Sequence, residues 1–264
     1  MPTVAHWGWN GNARRYWDNK YGGKLMRIER QLHHYGSALN ALPLLSEFRS
    51  RAAGKTSPTK DAAYLLRVGY GGISGPLTNI DREGFGSASF HSFPDSLHWD
   101  GYSGDYGPGF VGLALGAGTY IAGEDTEFGA GQLVFGGQVA ASTAENNTSL
   151  GSITIVPRDP VRRRVYLAPM GLQLEIDAGV IQRIIWNSAA GEVRLVLGQL
   201  SGGPVAKSAL LWTENEASTG RSSSSTYIVS VQNGDSIAQS RGGWVIPLGT
   251  DTASSTTVSV TQRK

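Results

Sequence analysis

The sequence predicts a segregated α+β protein: a helical region with aromatic and acidic loops over residues 1–130, then an antiparallel β-sandwich over residues 131–264. Three observations carry this. Apolar residues recur at spacings of three and four before residue 130, and at a spacing of two after it. All five histidines and four of the seven tryptophans precede residue 100. The second half instead alternates short apolar runs with Gly, Asn-Gly and Ser clusters, the pattern of strands with one wet face.

Taken in order, Asn12 is the predicted N-cap of a short helix over Ala13–Trp17, which Gly22-Gly23 stops. A second helix runs from Leu25 to Tyr35, with Leu25, Ile28, Leu32 and Tyr35 on one stripe. A third covers Ser37 to Arg51, with Leu39, Leu42, Leu45 and Phe48 on one face and a break or kink expected at Pro43. Asp61 caps a fourth that reaches Val68 and ends at Gly69-Tyr70-Gly71-Gly72. Gly109 to Ile121 is apolar enough for a buried helix, despite its four glycines.

The period changes near residue 131. Gln132 to Val139 reads as a strand, and Ala140 to Gly151 as a polar linker. Ile153 and Ile155, then Leu172, Leu174 and Ile176, alternate with polar neighbours. Val193, Leu195 and Leu197 follow the same rule, as do Val258 and Val260. Trp186, Trp212 and Trp244 fall singly on strands, where packing is the default; in an exposed row they would form a sugar-binding face. Ser218 to Ser225 is a low-complexity loop.

Composition excludes several classes. A net charge of +2, with no basic stripe among aromatic residues, argues against nucleic acid as a partner. Arg162-Arg163-Arg164 is the lone basic run and reads as a solvated strand edge. With no cysteine, disulfides, thiolate metal sites and cysteine nucleophiles are all excluded. No apolar run approaches the roughly 18–20 residues a membrane span requires. The first residues also lack the basic and apolar regions of a signal peptide. No Gly-x-Ser-x-Gly elbow, His-Glu-x-x-His helix or dinucleotide fingerprint occurs, and neither metal nor cofactor is expected.

Chemistry is therefore sought in the first half. Asp95, Asp100 and Asp105 share one Gly-rich stretch with His91, His98, Trp99, Tyr102 and Tyr106. Aromatic faces cover the apolar side of a pyranose, and paired carboxylates flank a glycosidic bond. The competing reading is a connector in which Asp100 and Asp105 cap turns for Gly101 and Gly107. Asp81 belongs to a second acidic loop, Asp81-Arg82-Glu83. Trp7 and Trp9 are a candidate subsite platform. Glu29 and His33, four apart on a helix, have the types of an acid–base pair or of two metal ligands. No third ligand at suitable spacing is evident, and such pairs are common on solvated surfaces.

The segments Trp7–Trp17, Arg27–Gly36, Leu39–Leu45, Phe90–Asp95 and Tyr102–Pro108 carry a family resemblance. Together they resemble the C-terminal part of a large bacterial and fungal family of uncharacterised extracellular proteins. Its members look like α/α-toroid carbohydrate-active enzymes with a terminal β-sandwich. The resemblance implies a partial α/α-toroid-like helical region, an extracellular location and a carbohydrate partner. It also implies that the chain is part of a longer protein whose N-terminal portion completes the cleft, so that alone it is inactive. His33, His34 and Tyr35, with Asn40, Arg27 and Arg30 nearby, have the residue types of a toroid polysaccharide lyase. The expectation is thus a fragment of a glycoside hydrolase-like enzyme using Asp95, Asp100, Asp105 or Asp81. The substrate-binding set is Trp7, Trp9, His33, His34, Tyr35, His91, His98, Trp99, Tyr102 and Tyr106. A lyase, or a non-catalytic carbohydrate-binding or wall-associated module, is the alternative.

Overall fold

The computed structural model describes residues 35–74, 112–125, 131–142, 151–215, 227–232, 237–251 and 253–262. Two long helices come first, α1 (Tyr35–Ala52) and α2 (Lys60–Ser74). Pro43 lies inside α1 and the helix continues through it. Its ring is on the exposed side, so the carbonyl that loses its amide partner faces water. The buried stripe of α1 is Ala38, Ala41, Leu45 and Phe48, whereas the expected Leu39 is exposed. Small residues replace leucine there because backbone comes close. A Cβ on Gly112, in the short helix at 112–116, would lie 2.6 Å from the Ala38 carbonyl carbon.

α2 is capped by Thr59, not Asp61: the Thr59 hydroxyl accepts from the Ala62 amide at 3.3 Å. It also runs through the Gly69–Gly72 stretch expected to end it. Burial of Ala62, Leu66 and Ile73 along one face offsets the intrinsic cost of those glycines. Of the described residues within the predicted helix over Gly109–Ile121, 112–116 are helical, and Thr119–Glu124 is strand β1. Five of its six residues are buried, so no period-2 signal betrays the strand.

Strands dominate the rest, and the expected fold class is corrected. Among the described residues 46% are strand and 24% helix, and no α/α-toroid region is evident. β2 (Gln132–Phe135) and β3 (Gly137–Ser142) follow β1, then β4 (Ser152–Pro157) and β5 (Arg164–Leu167). A 3₁₀ turn, Ala168–Met170, leads to β6 (Leu172–Ile176), β7 (Val180–Asn187) and β8 (Glu192–Gly198). β9 (Ser208–Asn215), β10 (Tyr227–Val231), β11 (Gln239–Ser240), β12 (Gly243–Pro247) and β13 (Thr256–Gln262) complete the set.

One sheet has the order β11-β12-β9-β6-β5-β1-β2, the other β10-β13-β8-β7-β4-β3. The first is mixed, since β1 and β5 run parallel with Tyr120 opposite Tyr166. The described residues form two compact units. Residues 35–48, 64–74 and 112–117 belong to one, and residues 49–63 with those from 118 onward to the other.

The second unit holds the sandwich. Ile121, Val165, Leu172, Leu174 and Leu211 of the seven-stranded sheet belong to one apolar core with Ile155, Ile184, Leu195, Val258 and Val260 of the other. Alternation is clearest in β4 and β6, where every second residue is buried. Trp186 and Trp244 pack into this core. The arginine run is no edge: β5 lies between β6 and β1, and Arg164 pairs with Glu175 of β6.

Tyr227 of β10 crosses the core. Its hydroxyl donates to the Met170 carbonyl, beyond β5, at 3.0 Å. Tyr227→Phe is expected to cost about 1–3 kcal/mol in urea unfolding, because a buried carbonyl loses its donor. Burial pushes the Tyr227 hydroxyl up to about 12. A raised folded-state pKa means that its contribution is complete below pH ~10, the unfolded value, and fades as pH rises toward that of the folded state. The Phe variant should lack this alkaline loss. Gly123 has φ +101, and a Cβ there would collide with the Thr56 carbonyl oxygen. Gly123→Ala should therefore lower the melting temperature by an amount matching at least ~1–3 kcal/mol.

Candidate functional site

Asp81, Asp95, Asp100 and Asp105, the predicted acids, lie outside the described residues. So do Trp7, Trp9, His33, His34, His91, His98, Trp99, Tyr102 and Tyr106. Tyr35 opens α1, where only its backbone is described. The polar architecture of the second unit is nonetheless well defined, and it determines which of that unit's groups are free for chemistry.

Tyr120, Tyr166, Arg164, Gln173 and Glu175 share the outer face of the seven-stranded sheet, since Val165 and Leu174 between them point into the core. The last turn of α1 and the loop after it dock on this face. The Tyr166 hydroxyl donates to the Arg49 carbonyl at 2.9 Å, and Arg49 Nη1 donates to Gln173 Oε1 at 2.8 Å. The Gly54 amide donates to the Ala168 carbonyl at 2.8 Å, and the Glu124 amide to that of Thr56 at 3.0 Å. Tyr166 and Tyr120 lie with ring centroids 6.3 Å apart, tilted by 51°. Burial pushes the Tyr120 hydroxyl up, and the nearby Arg49 and Arg164 guanidinium groups partly offset it.

A second polar cluster occupies the corner where the chain passes between the sheets. Asp159, 3% exposed, follows β4. Its Oδ1 accepts the Val161 amide at 3.1 Å and the Arg162 amide at 2.6 Å. Thr119 Oγ1 lies 3.4 Å from its Oδ2. Desolvation pushes the Asp159 carboxyl up, and the two amides, the Thr119 hydroxyl and Arg162 pull it back in part. No motif flagged Arg49, Tyr166 or Thr119 in the sequence. Asp159-Pro160 is a turn signal that could have marked Asp159.

The carboxylates of this unit are mostly engaged in holding the fold. Glu175 grips Arg164 through both oxygens, and Asp177 Oδ1 accepts the Leu210 amide at 2.7 Å. The Arg194 hydrogen bond holds Glu192 below the usual carboxylate range. The Ser254 hydroxyl, with the Ser254 and Ala253 amides, does the same for Asp251. Among the described residues no group of three or more His, Cys, Asp or Glu could hold a metal ion. None of the described helices is long and apolar enough to cross a membrane.

Trp212 is on the outer face opposite Glu175, and its indole N–H donates to the Arg241 carbonyl at 3.3 Å. With Trp186 buried in the core and Trp244 partly buried against it, the three tryptophans do not form an exposed row.

A model of the family of unknown function DUF5695 matches residues 1–256. No curated protein matches the chain, and no solved structure does.

The clamp between α1 and the sheet generates a test. Tyr166→Phe should cost about 0.5–1.5 kcal/mol, the value of one hydrogen bond. Amide exchange should accelerate in the segment it anchors, residues 49–54. Unchanged protection there would mean that the Arg49–Gln173 and Gly54–Ala168 bonds hold the segment without it.

Proposed function

Because the chain belongs to the DUF5695 family, whose description assigns no activity, we propose a function from its own residues: glycoside hydrolase-like action on a poly- or oligosaccharide outside the cell. The observation that carries this is the stretch from His91 to Tyr106, in which Asp95, Asp100 and Asp105 alternate with Trp99, Tyr102 and Tyr106. One carboxylic acid of such a set protonates the glycosidic oxygen. A second, ionised, attacks the anomeric carbon or activates a water against it. The aromatic rings stack on the pyranose face and hold the sugar between them.

The sandwich adds indirect support. Asp159, Glu175, Asp177, Glu192 and Asp251 are each tied to an arginine or to backbone amides. That leaves Asp81 and the 95–105 acids as the better candidates for proton transfer. A sandwich acting as a sugar-binding module is the weaker reading, since two of its three tryptophans are turned into the core.

The test is a polysaccharide screen that measures binding and reducing-end release on the same samples. Asp100→Asn or Asp105→Asn should lower release by about 10²–10⁴-fold, the usual worth of general acid–base catalysis, with binding retained. Trp212→Ala should leave both unchanged. Binding without release that is lost in Trp212→Ala would instead assign the function to the sandwich.

A further inference from the structure

Gly136, between β2 and β3, and Asp159, between β4 and β5, stand at two successive crossings from one sheet to the other. The Gly136 carbonyl accepts the Arg158 amide at 2.7 Å and the Asp159 amide at 3.0 Å. The Thr119 hydroxyl reaches the same carbonyl at 3.1 Å and Asp159 Oδ2 at 3.4 Å. Thr119 is fully buried and Asp159 nearly so. A hydroxyl has one proton to donate. With Asp159 ionised, that single proton faces two acceptors, and one of the two oxygen–oxygen contacts has none between them. Burying a carboxylate without an ion pair is costly, and among the described residues no salt bridge reaches Asp159.

We propose that Asp159 is a proton-binding site that makes this corner of the sandwich pH-sensitive. A proton taken up on Oδ2 lets the carboxyl donate to Thr119 Oγ1 while Thr119 donates to the Gly136 carbonyl. Both contacts are then hydrogen bonds, and Oδ1 keeps its two amides. Of the groups around it, Arg162 on its own turn favours the ionised form, as do the two amides, but desolvation outweighs them. Tyr120 of β1, whose hydroxyl burial pushes up, stays neutral at mild pH. Gly136 and Gly137 at the β2–β3 junction carry no side chain, and Arg158 is exposed and donates to Gln138 at 2.9 Å. Desolvation also holds the Asp159 carboxyl above the usual range. With the folded-state value raised, the corner's contribution is complete below the unfolded pKa and is lost as pH rises through the folded one.

The decisive measurement is a ¹³C NMR titration of the Asp159 carboxyl in the full chain, assigned by its disappearance in Asp159→Asn. A midpoint above the ordinary ~3.9 of aspartate is expected. A midpoint at or below that value would overturn the proposal. Thermal melts give a second reading. Asp159→Asn keeps an acceptor for both amides and cannot ionise, so it should melt higher than the parent at pH 8. The gap should narrow as pH falls toward 4. Parallel melting curves across that range would count against the proposal. If the Asn variant fails to fold, the carboxyl signal is assigned through its own backbone resonances in the parent chain, and its midpoint decides.

Discussion

Backbone amides and carbonyls cannot enter an apolar interior unpaired, and this constraint is most severe where a chain leaves one sheet for another. In this sandwich the β2-to-β3 and β4-to-β5 crossings share a corner built on the Gly136 carbonyl. At φ +72 Gly136 takes the left-handed conformation that turns the chain between sheets. Its carbonyl receives amides from the other crossing, and Asp159 then satisfies the next two amides along that crossing. β5, which starts just after this point, pairs with β1 and β6 in the seven-stranded sheet. Arg162, at φ +50, is held there by the shortest of those bonds.

A similar economy governs the outer face of the seven-stranded sheet. The residues that alternate with the core side chains of β5 and β6 are Arg164, Tyr166, Gln173 and Glu175. They are polar because the face receives helix and loop backbone rather than a second apolar layer. Tyr166 gives the Arg49 carbonyl, in the last turn of α1, a second donor beside the Ala53 amide. Arg164 is fixed by Glu175 and so stays off the solvent.

Much of the sandwich was legible because its strands have one wet face. Ile153 and Ile155, Leu172 to Ile176, Val193 to Leu197, and Val258 with Val260 all read correctly as alternating strands. β1 did not, because a strand buried on both faces has the same composition as a buried helix. α1 and α2 were found, but Pro43 and the Gly69–Gly72 stretch suggested breaks that packing and solvent exposure override. The toroid entered by resemblance rather than by periodicity, and the described helices do not form one. The acidic–aromatic loop is legible as residue types alone.

What the sequence determined by itself is local: where apolar side chains repeat, hence which segments are strands or helices, and where acids and aromatic rings concentrate. What only the tertiary structure decided is which polar groups are committed. Neither Glu175, between Leu174 and Ile176, nor Asp159, between Arg158 and Pro160, lies in a motif that assigns its role. One grips an arginine on the outer face, and the other is buried at the corner between sheets, above its usual pKa. That difference comes from desolvation and from partners that strand pairing and the crossing between sheets bring together. Both are set when the sheets close, and neither leaves a periodic trace in the sequence.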